Sequence, residues 1–212
     1  MTYCCRYSFV ILLIKHRRGV QIMNKSIYEE CPTYKNQLIT LRKTNEGDLE
    51  ELFKCYSDEK AVPLFNSDNC HGDDFYYTTL EKMRQAIGFW EYSYKNRHFV
   101  RWTVILNDTN EKIGTIEMFH RLAEDEFNHY GVLRIDLQSK YERHDIIEAI
   151  LTISNEFLYE AFNVKAILTK SISIANERII ALSKMGYKPI NKKFMIYNDY
   201  YCREIQFINI MQ

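Results

Sequence analysis

Glu117 and Asp136 are carboxylates placed where acid–base work is possible. Each lies in a stretch of alternating apolar and polar residues, 112–120 (KIGTIEMFH) and 131–138 (GVLRIDLQ), and such alternation predicts two strands. Along the second, Val132, Arg134 and Asp136 share one face while Leu133, Ile135 and Leu137 share the other. Asp136 can hold an amine or take its proton through water, and Glu117 on the neighbouring strand can reach the same cleft. Together with Arg134 they can equally form a cross-strand ionic network worth a few tenths to about 1 kcal/mol per pair. Both readings stand on sequence.

Other chemistry-bearing groups are less organised. Cys70-His71-Gly72-Asp73-Asp74 has metal-ligand residue types, but no second His/Cys cluster completes a shell, so a turn is expected and no metal. Asp145 and Glu148 stand three apart ahead of Ile150, Leu151, Ile153 and Phe157, the spacing of a capping box. No Gly-x-Ser-x-Gly, Walker or dinucleotide fingerprint occurs.

The elements that must position these groups follow from periodicity. Residues 37–42 (QLITLR) predict a strand, after which Thr44 caps a helix carrying Leu49, Leu52, Phe53 and Tyr56. Tyr76, Leu80, Met83, Ile87, Trp90 and Tyr94 form one helical stripe. Residues 99–106 and 112–120 form a hairpin through the Asn/Asp-rich turn 107–110. After 131–138 come a helix, a strand at 166–172 (AILTKSI), a helix ending at Met185-Gly186-Tyr187, and a last strand pair.

The run from Gly131 to Tyr187 resembles the cofactor-binding core of the GNAT superfamily of N-acetyltransferases. The Leu-x-x-Leu-Arg opening with Asp48 resembles its ribosomal-protein-alanine acetyltransferase branch. The resemblance implies an α/β fold, a GNAT-like mixed central sheet with helices on both faces. It also implies acetyl transfer from acetyl-CoA to a small amine or a protein N-terminus. In the family, backbone at the positions of Ile135 and Leu137 pairs with pantetheine, and a glycine-rich loop before the next helix cradles the pyrophosphate. Here that loop reads Glu142, Arg143, His144, Asp145, Ile146, Ile147, with Asp145 and Ile147 where glycines are expected. Lys140, Arg143 and His144 could bind phosphate through side chains, or form a solvated loop of mixed charge. The family's Asn-x-x-Ser falls on Ala175 and Arg178, with Asn176 one residue off, and its frequent tyrosine falls on Leu182. A second reading is therefore a GNAT-fold protein that has lost coenzyme A binding and serves as a binding or interaction module.

Length and composition bound the rest. The 212 residues suit one domain, expected over residues 27–212, with residues 1–26 an extension. Its apolar run Ser8 to Ile14 precedes Lys15-His16-Arg17-Arg18, the reverse of a signal peptide, and Met23 is an alternative start. Basic and acidic residues balance at 28 each, which argues against nucleic acid or membrane as partner. Six cysteines without CxxC spacing predict free thiols and a cytoplasmic protein. Monomer and homodimer remain open.

Overall fold

Strand alternation builds a sheet with one apolar and one polar phase. The computed structural model describes residues 26–205 and contains an eight-stranded sheet of order β1-β2-β3-β4-β5-β6-β8-β7. The strands are Tyr34–Lys35 (β1), Ile39–Lys43 (β2), Val100–Leu106 (β3), Lys112–Arg121 (β4), Tyr130–Leu137 (β5), Ala166–Lys170 (β6), Lys188–Pro189 (β7) and Tyr200–Glu204 (β8). Neighbours run antiparallel except β5 and β6, which are parallel. The helices are Leu49–Tyr56 (α1), Leu80–Lys95 (α2), His144–Ile153 (α3), Tyr159–Phe162 (α4) and Asn176–Lys184 (α5). A π-helical turn, Ser154–Leu158, joins α3 to α4. The alternative start at Met23, the Ser8 to Ile14 run and the end of the expected last strand lie outside the described residues. Among the described residues no helix is long and apolar enough to cross a membrane.

The apolar phase (Trp102, Ile116, Leu133, Ile135, Leu137) packs with Ile146, Ile147, Ile150 and Leu151 of α3 and Ala181 and Leu182 of α5. Burying such side chains contributes about 1.5–3 kcal/mol each. The other phase (Arg101, Thr103, Thr115, Glu117, Asp136) is also buried, beneath α1 and α2. A second apolar cluster of Leu52, Tyr56, Phe65, Phe75, Met83, Ile87 and Trp90 covers it. Gly114 lets β4 approach β5 there, since a Cβ at that position would lie 2.1 Å from the Asp136 carbonyl oxygen.

Local signals shift in three places. Asn45, not Thr44, caps the first helical turn: its side chain accepts from the Gly47 N–H at 2.9 Å, and Asp48 completes the box. Thr44 is buried against Thr103. The Tyr76 stripe starts late, because Thr79 caps α2 by accepting from the Lys82 N–H at 3.2 Å. Its buried face is Met83, Ile87 and Trp90, and Leu80 is exposed. The Asp145–Glu148 capping box does not form. Arg143 occupies the N-cap position without a side-chain capping bond, Asp145 pairs with Arg143, and Glu148 reaches across to Lys184 at 2.9 Å.

Candidate functional site

Register brings the acid–base candidates together. Arg101 of β3 lies opposite Glu117 of β4, which lies opposite Arg134 of β5, while Thr115 faces Asp136. Arg101 donates from Nη2 to Glu117 Oε2 at 2.5 Å and from Nη1 to Asp136 Oδ2 at 3.0 Å. Arg134 Nη1 donates to Glu117 Oε1 at 2.8 Å. Tyr56 of α1 donates to Asp136 Oδ2 at 2.9 Å and accepts from Arg101 Nη1 at 2.7 Å. The ionic network expected from sequence is thus present, with one change of partner: Asp136 binds Arg101 rather than Arg134, because its diagonal neighbour two strands away completes the pairing.

Burial separates the two carboxylates. It pushes the Glu117 carboxyl up, but Arg101 and Arg134 outweigh it and hold the group below its ordinary value. For Asp136 burial wins over Arg101 and Tyr56, and the group rises. The cause is visible: Asp136 Oδ1 is buried and has no hydrogen-bond partner among the described residues. Arg101 Nε and Arg134 Nε are likewise without one. Glu117, Arg101 and Arg134 floor a cleft of about 600 Å³ whose walls come from residues 69–77 and from α2, including Phe89 and Trp90. Asp136 does not line it. The Cys70 to Asp74 segment turns along its edge.

The cofactor candidates lie on the opposite side. Pairing of β5 with β6 ends at Leu133↔Thr169, so Arg134 through Leu137 leave β6 behind and the two strands part. Ile135 and Leu137 are buried there. The Ile135 carbonyl, however, already has an occupant. Arg178 of α5 donates from Nη2 to the Ile135 carbonyl at 3.0 Å, from Nη1 to the Leu64 carbonyl at 3.2 Å, and to both oxygens of Glu142 at 2.6 and 2.8 Å. Its side chain is 2 % exposed. The family's small Ser position thus holds an arginine that fills the parting of the strands.

The α3 N-terminus is occupied as well. Glu177 Oε2 accepts from the His144 N–H at 2.8 Å and contacts His144 Nδ1 at 2.6 Å. The Glu177 carboxyl is held below its ordinary value, first by that N–H. A carboxylate there satisfies the free N–H and the helix dipole as a phosphate would. Ile147 is buried in the core and its N–H donates to the Arg143 carbonyl at 3.0 Å, so it faces no ligand. Lys140 pairs with Glu111, and Arg143 with Asp145. Asn176 is exposed at the start of α5. Sequence reasoning missed Arg101, Tyr56 and Glu177. Only Arg101 left a signal, the polar phase Arg101–Thr103 inside an otherwise apolar strand.

Known proteins resemble this chain in sequence or in fold. "Uncharacterized N-acetyltransferase YoaA" of Bacillus subtilis (strain 168) is 28% identical over 96 residues, 44% of this chain, and the match spans about half (48%) of that relative. The ribosomal-protein-S5-alanine acetyltransferase of Vibrio fischeri superposes with a TM-score of 0.62 at 15% identity, covering 82% of this chain and 96% of its own. RimJ of Mycobacterium smegmatis, solved with a CoA-disulfide, gives 0.63 at 10% identity over 78% and 81%. At such identities these structures support the fold alone. The family model "Acetyltransferase (GNAT) domain" matches residues 39–188, which span β2 to β7 and both sides of β5, and on that match the chain belongs to the GNAT acetyltransferase family.

Proposed function

We propose that the chain is a GNAT-type N-acetyltransferase in which acetyl-CoA enters where β5 parts from β6 and an amine comes from the 600 Å³ cleft. One observation carries this: Arg134, on the cleft floor, is also the first β5 residue past the β6 pairing. Donor gap and acceptor cleft therefore meet at one point of one strand. In the transfer the amine nitrogen forms a bond to the thioester carbonyl carbon, the C–S bond breaks, and an amine proton leaves with the thiolate. Glu117 can take that proton only by giving up one of its guanidinium contacts. Asp136 acts at most through Tyr56 and Arg101. Free thiols at Cys31, Cys55, Cys70 and Cys202 support a cytoplasmic setting.

The coenzyme fits in part. The unpaired β5 segment suits a pantetheine arm, while Arg178, Glu142 and Glu177 occupy the space and the N–H it would use. This occupation favours the second reading, a GNAT-fold binding module without coenzyme A. A thermal melt decides. Acetyl-CoA at 100 times its dissociation constant stabilises by about 2.7 kcal/mol, roughly 5–10 °C for a domain of this size. The enzyme reading predicts such a rise in the wild type, with thiol release on adding amines. No shift and no thiol release, with binding gained in Glu177→Gln/Arg178→Ser, would establish the second reading instead.

A further inference from the structure

The cleft over β3–β5 holds unspent hydrogen-bonding capacity on its floor and at its rim. Both oxygens of Glu117 are taken by Arg101 and Arg134, and Asp73 accepts from the Phe75 N–H at 2.8 Å and the Tyr77 hydroxyl at 2.9 Å. These two acids have little left for an ammonium group, whereas Asp74, which also lines the cleft, accepts from the Tyr76 N–H at 2.9 Å through one oxygen and keeps the other. Arg134 lines the same cleft: Nη1 donates to Glu117 and Nη2 to the Asp68 carbonyl at 3.0 Å, which leaves each Nη a second N–H, while its Nε–H is buried without a partner among the described residues. It is also the floor group nearest solvent, 12 % exposed against 1 % for Arg101 and 2 % for Glu117. A guanidinium with spare donors calls for an anionic oxygen pair. Since Glu117 already balances much of the local charge, a monoanion suits the floor better than a dianion.

The walls define the rest of the ligand. Phe89 is 57 % exposed and meets Phe99 edge-on at 6.1 Å, with Trp90 beside them. An exposed Phe89 backed by the partly buried Phe99, beside a polar floor, is the usual make-up of a small-molecule site. The loop that closes the cleft holds Asn69, His71, Gly72 and Phe75 at φ values of 60, 54, 91 and 62°. For a bulky residue such as Phe75 that backbone is strained, and strain of this sort collects at binding sites.

We propose that this cleft binds an apolar α-amino acid, with its carboxylate on Arg134 and its side chain against Phe89 and Phe99. The α-amine then lies one carbon from the carboxylate, beside the point where β5 leaves β6. Use of that amine as acceptor rests on the acyltransferase reading; binding itself does not.

Isothermal titration of the full chain without coenzyme separates the two. L-Phenylalanine should saturate below about 1 mM, and 3-phenylpropanoate, which lacks the amine, should bind about as well. Phenethylamine, which lacks the carboxylate, should bind at least about 10-fold more weakly because Arg134 is left unpaired. Phe89→Asp, an exposed change that should leave the fold intact, should weaken phenylalanine about 10-fold. Arg134→Gln should erase the difference between phenylalanine and phenethylamine. Should that variant fail to fold, the ligand series and Phe89→Asp still decide. Phenethylamine binding as tightly as phenylalanine, or no saturation by about 10 mM, would overturn the proposal. Amino-acid binding without acetyl transfer would sink the enzyme reading alone, and transfer to amines lacking a carboxylate would sink this one alone.

Discussion

The two sides of β5 use buried charge in opposite ways. Toward α1 and α2, Arg101, Glu117 and Arg134 form a floor and leave space above it. Toward α3 and α5, Arg178 and Glu142 fill the space where β5 parts from β6. Both groups are ion pairs out of water, and desolvation offsets much of their attraction in each. A buried pair is thus weak grounds for stability on either side. What differs is the consequence for a ligand: one side lends its spare donors, and the other must first give up its own contacts.

The largest expected effect tests the filled side. Arg178→Ala leaves Glu142 buried without a partner and should cost about 3–5 kcal/mol in urea unfolding. Replacing both, Glu142→Leu with Arg178→Met, should recover most of that loss, because an apolar pair avoids the desolvation penalty. If the double variant is as unstable as the single, the hydrogen bonds to the Ile135 and Leu64 carbonyls, not the charge pair, hold the parting closed.

The open side is tested by acid. Glu117 titrates below its ordinary 4.5 in the folded chain, so its stabilisation is present above about pH 4.5 and is lost as pH falls through the folded value. Asp136 is raised above 3.8, so its contribution runs the other way, present below 3.8 and lost as pH rises through the folded value. Glu117→Gln should therefore flatten the acid limb of stability against pH, by up to about 1.4 kcal/mol per pH unit. Asp136→Asn should steepen it. Equal slopes in wild type and Glu117→Gln would mean that the exposed carboxylates, such as Asp145 and Glu177, carry the acid limb.

Sequence exposed these sides unevenly. Strand phase placed Glu117, Arg134 and Asp136 on one face because a period of two leaves no choice once the face is buried. Arg101 obeys the same rule, but its pairing depends on the β3–β4 register, which passes through a shift between Val104 and Ile105. The absence of loop glycines at Asp145 and Ile147 was legible, and the structure gives both residues other employment. Glu142–Arg178 was not legible, since the partners stand 36 residues apart and meet only when α5 docks on α3. The Asp145–Glu148 spacing misled for a related reason: Arg143 and Lys184 compete for those carboxylates, and nothing local reveals the second competitor.

The smallest effect separates burial from mere pairing. Glu148–Lys184 joins α3 to α5, as Glu142, two residues before α3, joins Arg178 of α5; each partner is six residues further along, and the distance is 2.9 Å. Its side chains are 25 % and 60 % exposed, so water screens the pair and two long side chains lose freedom to hold it. Lys184→Ala should cost less than about 0.5 kcal/mol, and a double-mutant cycle with Glu148→Ala should show coupling no larger. A cost near that of Arg178→Ala would show that docking of α5 on α3 depends on charge along its whole length. The gap beside Ile135 would then be closed by the helix as a unit, and removing Arg178 alone would not open it.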